Sequence, residues 1–122
     1  MADPIVHFEV GITAGARARD FYGELFGWRF QTEPDESNTL VVFEEGIGGN
    51  LMQVPEGASP YVTFYVLVDD TDAYLERVER VERLGGKTMV PSTAIPGVGE
   101  FAMLADPDGN LIALFTPETS AS

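Results

Sequence analysis

The chain has 122 residues, with 20 Asp and Glu against 7 Lys and Arg, and a formal net charge of −13. That length predicts one domain, and 44% hydrophobic and 11% aromatic residues supply a core, which excludes a globally disordered chain. The acidity excludes a nucleic-acid binder, which needs a basic face for phosphates, and a protein that docks on anionic membranes.

There is no cysteine, so disulfides, thiolate nucleophiles and Cys-based metal centres are excluded. Met1-Ala2-Asp3-Pro4 lacks the basic residues and apolar run of a signal peptide. No apolar stretch approaches the roughly 20 residues of a membrane span. A soluble, cytoplasmic protein is the expectation.

Ile5 to Ile12 alternates loosely through Val6, Phe8 and Val10 and predicts a strand. Thr13 is placed to cap the helix that follows, whose apolar stripe is Ala18, Phe21, Tyr22 and Leu25, and Gly27 ends it. Trp28 to Gln31 reads as a strand, Glu33 to Asn38 as a polar turn, and Thr39 to Phe43 as a strongly β-forming segment. Gly46, Gly48 and Gly49 interrupt the chain before a short strand, Leu51 to Val54, and Pro55 to Pro60 reads as a linker. The pattern then restarts. Tyr61 to Val68 is a strand, Asp70 or Thr71 caps a second helix running to Leu84, and Gly85-Gly86 stops it. Lys87 to Val90 is a strand and Pro91 to Gly99 a turn-rich loop. Phe101 to Ala105 and Leu111 to Phe115 flank Asp106-Pro107-Asp108-Gly109, a type I turn sequence, and the tail after Pro117 is expected to fray.

Each half therefore reads strand–helix–strand–strand–strand. Placing His7-Phe8-Glu9-Val10 over Thr63-Phe64-Tyr65-Val66 superposes both phenylalanines and both valines, which points to an internal duplication. The halves differ by a tandem triplet, Glu76-Arg77-Val78, Glu79-Arg80-Val81, Glu82-Arg83-Leu84. Three residues turn a helix by about 300° and lengthen it by about 4.5 Å, so Leu75, Val78, Val81 and Leu84 cannot share one face. The second helix is expected to carry a bulge, a tightened turn or a displaced C-terminal end.

The paired halves resemble the vicinal oxygen chelate superfamily, which includes glyoxalase I, bleomycin-resistance proteins and extradiol dioxygenases. The marks are His7, Phe21-Tyr22-Gly23, Leu25-Phe26-Gly27-Trp28, Leu84-Gly85-Gly86-Lys87 and Asp106-Pro107-Asp108-Gly109-Asn110, which span almost the whole chain. The resemblance implies an α+β fold of two βαβββ modules forming a curled mixed sheet around a central cup, within a single domain over 1–122. Module 1 would cover about 5–54, the linker 55–60 and module 2 about 61–117. It also implies a homodimer.

Metal-dependent members of the superfamily hold a divalent ion with four side chains, on the first and last strands of each half. Carried onto this chain, the first position falls on His7 and the second near Leu51 to Gln53, with Gln53 the one polar candidate. The third falls on Thr63 and the fourth on Ala113, neither a useful ligand, so no bound metal or other cofactor is expected. Glu9, two residues along from His7, is the one substitute that would restore a divalent site.

Alternation places His7 and Glu9 on one strand face, opposite Phe8 and Val10. By the repeat, Thr63 and Tyr65 face the cup from the other half, and Ala113 and Phe115 share a face with Leu111. An imidazole, a carboxylate and a phenol among apolar walls suit a small, partly aromatic organic ligand. His7 and Glu9 are the candidate catalytic residues, and Gln53, Thr63, Tyr65, Ala113 and Phe115 the candidate ligand-binding ones. Two readings stay open: a metal-free small-molecule-binding protein, and a lyase, isomerase or dioxygenase using His7 and Glu9 as an acid/base pair or as metal ligands. Phe26 and Trp28 read as core or interface residues, and Glu44 and Glu45 as a solvated turn. Gly48-Gly49 lacks the helix start and basic partner of a phosphate loop.

Overall fold

The computed structural model describes residues 2–32 and 37–118, so most of the predicted Glu33–Asn38 turn and nearly all of the tail lie outside the described residues. Ten elements follow in order: β1 (Ile5–Ile12), α1 (Gly15–Phe26), β2 (Arg29–Thr32), β3 (Asn38–Val42), β4 (Gly49–Gln53), β5 (Val62–Leu67), α2 (Thr71–Arg80), β6 (Lys87–Ile95), β7 (Gly99–Ala105) and β8 (Leu111–Pro117). The fold is α+β, two consecutive βαβββ modules, as the restart of the pattern predicts. No helix among the described residues is long and apolar enough to cross a membrane.

The chain divides into two compact units, His7–Thr63 and Phe64 onward together with the segment up to Val6. In the first unit the strand order is β2-β3-β4-β1, with β4 and β1 parallel and the other neighbours antiparallel. In the second it is β6-β7-β8-β5, with β8 and β5 parallel. The duplication inferred from two Phe-x-Val pairs is thus a duplication of topology.

In the first unit Val41, Leu51 and Val54 are buried, and Trp28 gathers Phe8, Tyr22, Phe26 and Phe43 at ring distances of 4.9–5.7 Å. Phe26 joins this cluster from the surface rather than from the core, being 58% exposed. Helix α1 starts after Ala14, which offers no side-chain cap, so Thr13 does not cap it; the chain enters the helix one residue too late for the threonine hydroxyl to serve. Gly27 closes the helix in the left-handed conformation, as expected.

In the second unit Val68, Tyr74, Ala102 and Leu114 form the core, flanked by Val66, Ala73, Val78 and Leu104. Asp70 caps α2 by accepting from the Ala73 amide, and Arg77 and Arg80 lie in its last turn, where the helix dipole favours cations. Regular α-helix ends at Arg80, not Leu84. The Val81 amide reaches back only three residues to Val78, a tightened turn. The Gly86 amide then bonds Val81 and the Gly85 amide bonds Glu82, with Gly85 at φ +95°, a Schellman closure. The extra triplet is therefore absorbed by over-tightening, and Leu84 is left 62% exposed. Leu84→Ala should accordingly change stability by no more than about 0.5 kcal/mol in a thermal melt. A loss several times larger would mean that Leu84 packs against something in solution.

One predicted loop is a strand. β6 continues through Pro91 to Ile95, with register shifts between Thr88 and Val90 and between Val90 and Thr93. Pro91 lacks an amide donor, but β6 ends the strand order, where an edge strand with a bulge tolerates it. The Asp106–Gly109 turn forms as read: the Gly109 amide bonds the Asp106 carbonyl, and the Asp106 carboxylate accepts from the Asp108 amide and from Asn110. Those donors, the Asn110 side chain first, hold its carboxyl below the ordinary range.

Candidate functional site

The site is built on β1 and β4 in the first unit. Parallel pairing sets Glu9 opposite Asn50, which brings a polar side chain of β4 beside the His7–Glu9 face of β1. Asn50 then links three partners. His7 Nε2 lies 2.8 Å from Asn50 Oδ1, and Asn50 Nδ2 donates to Glu9 Oε1 at 3.2 Å and to Asn38 Oδ1, on β3, at 2.7 Å. The Glu9 carboxylate only accepts, which assigns the Asn50 amide nitrogen to its side. With the amide oxygen then turned to His7, Nε2 is assigned the proton.

Tyr61 completes the site. Gly11 donates its amide to the Tyr61 carbonyl at 2.8 Å, and a Cβ on Gly11 would lie 2.4 Å from the Tyr61 ring. Only glycine leaves room for that ring, which lies along β1 and hydrogen-bonds its hydroxyl to Glu9 Oε2. Glu9 is 4% exposed and Asn50 5%. Burial, and then the hydrogen bond and charge of Glu9, push the Tyr61 hydroxyl well above the ordinary phenol range, since ionisation would set a phenolate against a carboxylate. Tyr61 is therefore a permanent donor near neutral pH. The arrangement offers a buried carboxylate held by neutral donors and joined to an imidazole through one amide.

His7 and Glu9 are thus brought together, with Asn50 as their link. Thr63 is buried at 3% exposure in the same unit. Gln53 does not join them: it is exposed, and its amide donates to the Thr13 carbonyl at 2.9 Å, because it lies three residues along β4 from Asn50 and points to the other face. Tyr65, Ala113 and Phe115 belong to the second unit, where Tyr65 pairs with Ala113 and Leu67 with Phe115.

Asn50, Asn38 and Tyr61 escape the sequence reading. For Asn50 a signal exists. The repeat equates Glu9 with Tyr65, and their strand partners are Asn50 and Ala113. Each partner lies four residues after a turn glycine with positive φ, Gly46 and Gly109. Counting from those glycines makes Asn50 the first-half counterpart of Ala113. Asn38 and Tyr61 carry no such signal, since both depend on strand pairing.

No three His, Asp or Glu side chains converge among the described residues. A catalytic site uses about three protein ligands and an open position.

Residues 4–114 match the model of the glyoxalase/bleomycin resistance protein/dioxygenase superfamily, and the chain belongs to that superfamily. It is 30% identical over 111 residues to a putative glyoxylase, CFP32, of Mycobacterium tuberculosis, an alignment covering 84% of this chain but 41% of that relative. The chain thus spans well under half the length of that relative. A superfamily member from Vibrio splendidus has the same fold, with TM-score 0.66 and 19% identity over 93% of this chain and 98% of that one. So does a Mn(II)-bound glyoxalase from Novosphingobium aromaticivorans, with TM-score 0.70 and 16% identity over 99% of this chain and 42% of that one.

Proposed function

We propose that this chain is a small-molecule-binding member of the superfamily that works without a catalytic metal, taking a small, partly aromatic organic ligand. The observation that carries the reading is the His7–Asn50–Glu9–Tyr61 network. At the position where a metal-dependent member would present a ligand beside the first-strand histidine, this chain presents an amide that holds the imidazole in its Nε2–H form. A hydrogen-bonding platform of this kind orients a polar group of a ligand whose body is enclosed by apolar walls.

The test is elemental analysis of protein purified without added metal, followed by calorimetry with Mn2+, Zn2+ and Ni2+. Substoichiometric metal and no tight binding are expected. Stoichiometric binding that disappears in His7→Ala would overturn the reading.

A second reading, an enzyme of the lyase, isomerase or dioxygenase type, draws support from the burial of Glu9. Keeping a carboxylate out of water costs several kcal/mol unless it is well met by donors, and a retained buried carboxylate is a fit proton acceptor. On that reading Glu9→Gln abolishes turnover and leaves ligand binding intact; on the first reading it changes binding alone.

A further inference from the structure

A second feature of the first unit shares only Gly11 and Tyr61 with the site just described. Between the end of β1, helix α1 and the segment Pro60–Val62 lies a cleft of about 520 Å3. Its walls include Ile12, Ala18, Phe21, Tyr61 and Val62, with Arg17 at its edge. The cleft has a sequence cause. Ala14 and Ala18, four residues apart, fall on one face of the chain entering α1 and leave space where larger side chains would fill it. The result is a helix that buries none of its residues, with Phe21 57% and Val62 72% exposed beside the opening.

We propose that this cleft binds a small apolar or aromatic carboxylate, with the carboxylate on the Arg17 guanidinium and the hydrocarbon body between Ile12, Ala18, Phe21 and Tyr61. Three observations converge. The volume lies within the roughly 300–1,000 Å3 of small-molecule sites. The walls are mostly apolar, so the free protein exposes surface that a ligand body would remove from water. Finally, Arg17 takes part in none of the ion pairs or hydrogen bonds among the described residues, although acids outnumber bases almost three to one. The arginines of α2, by contrast, are engaged: Arg77 with Asp3 and Glu76, and Arg80 with Glu76. A planar guanidinium with no acid partner among the described residues, beside a largely apolar cleft, matches a carboxylate in both charge and fork geometry. The proposal does not rest on the metal-free reading of the His7 network.

The experiment is calorimetry with 2-naphthoate and with its neutral analogue 2-naphthamide. Naphthoate is expected to bind more tightly than the amide. Arg17→Met should weaken naphthoate by about 10- to 100-fold, as loss of a charge-assisted pair implies, and leave the amide unchanged. Ala18→Phe, which fills the cleft, should abolish both while far-ultraviolet circular dichroism stays that of the parent. His7→Ala should leave both intact. The proposal is overturned if neither probe binds at millimolar concentration, if Arg17→Met leaves naphthoate affinity unchanged, or if His7→Ala removes it. It is likewise overturned if sedimentation shows a dimer that Ala18→Phe splits into monomers while naphthoate does not bind, for then the cleft is a contact between copies.

Discussion

Tyr74→Ala is expected to cost about 3–5 kcal/mol of stability, the range for removing a fully buried aromatic ring. Tyr74 has no exposed surface and sits among Val68, Ala102 and Leu114, with Val66, Ala73, Val78 and Leu104 packed around them. It is the one fully buried side chain of α2, with Ala73 and Val78 packed beside it, while Leu75 is 42% exposed. Against a total of about 5–15 kcal/mol for a domain, the loss is at least about a fifth of the stability. The hydroxyl is a smaller matter. It pairs with Ser92 Oγ at 2.8 Å, and Ser92 in turn donates to Glu100 at 3.1 Å. Tyr74→Phe should therefore cost about 1 kcal/mol, since Ser92 keeps Glu100 as an acceptor. Urea denaturation of the two variants separates ring from hydroxyl. Equal losses would mean that the hydrogen-bond chain, not the packing, holds the helix.

Asn50→Leu is expected to cost about 2–4 kcal/mol despite keeping the branched shape and raising hydrophobicity. The substitution removes the partner of the half-buried His7 ring and a donor to the buried Glu9, and leaving a buried polar group short costs about 1–3 kcal/mol, more for a charge. A neutral or stabilising Asn50→Leu would show that the network is solvated and only loosely formed.

The pH dependence supplies an independent handle. The Tyr61 hydroxyl titrates higher in the folded chain than its ordinary value near 10, so its contribution is complete below about pH 10 and is lost as pH rises beyond it. Tyr61→Phe should be less stable than the parent near neutral pH and should lose less stability above pH 10. Both arms are read from chemical denaturation at fixed pH values.

How much of this was legible beforehand follows from range. The caps and stops are local: Asp70 at the start of α2, Gly27 and Gly85 at the helix ends, and the Asp106–Gly109 turn are decided by a few adjacent residues, and each was readable. Thr13 failed as a cap because the helix start shifted by one residue. Pro91 was misread as a loop signal because only the sheet order shows that β6 is an edge. The triplet was legible as a conflict of phase between a three-residue repeat and a 3.6-residue helix, but not as the particular tightened turn at Val81 that resolves it.

For the site, the sequence by itself determined the membership, the two βαβββ modules and the sharing of one strand face by His7 and Glu9, because alternation along a strand is intrinsic to the backbone. Which residue stands between them was decided by the parallel register of β1 and β4, which selects Asn50 over Gln53. That Tyr61 holds Glu9 was decided by the close approach over Gly11, and that Arg17 lines a cleft by the space left at Ala14 and Ala18. A side chain's face is set by its own strand, whereas its partners are set by residues about 40 to 50 positions away, and only the pairing of strands brings those together.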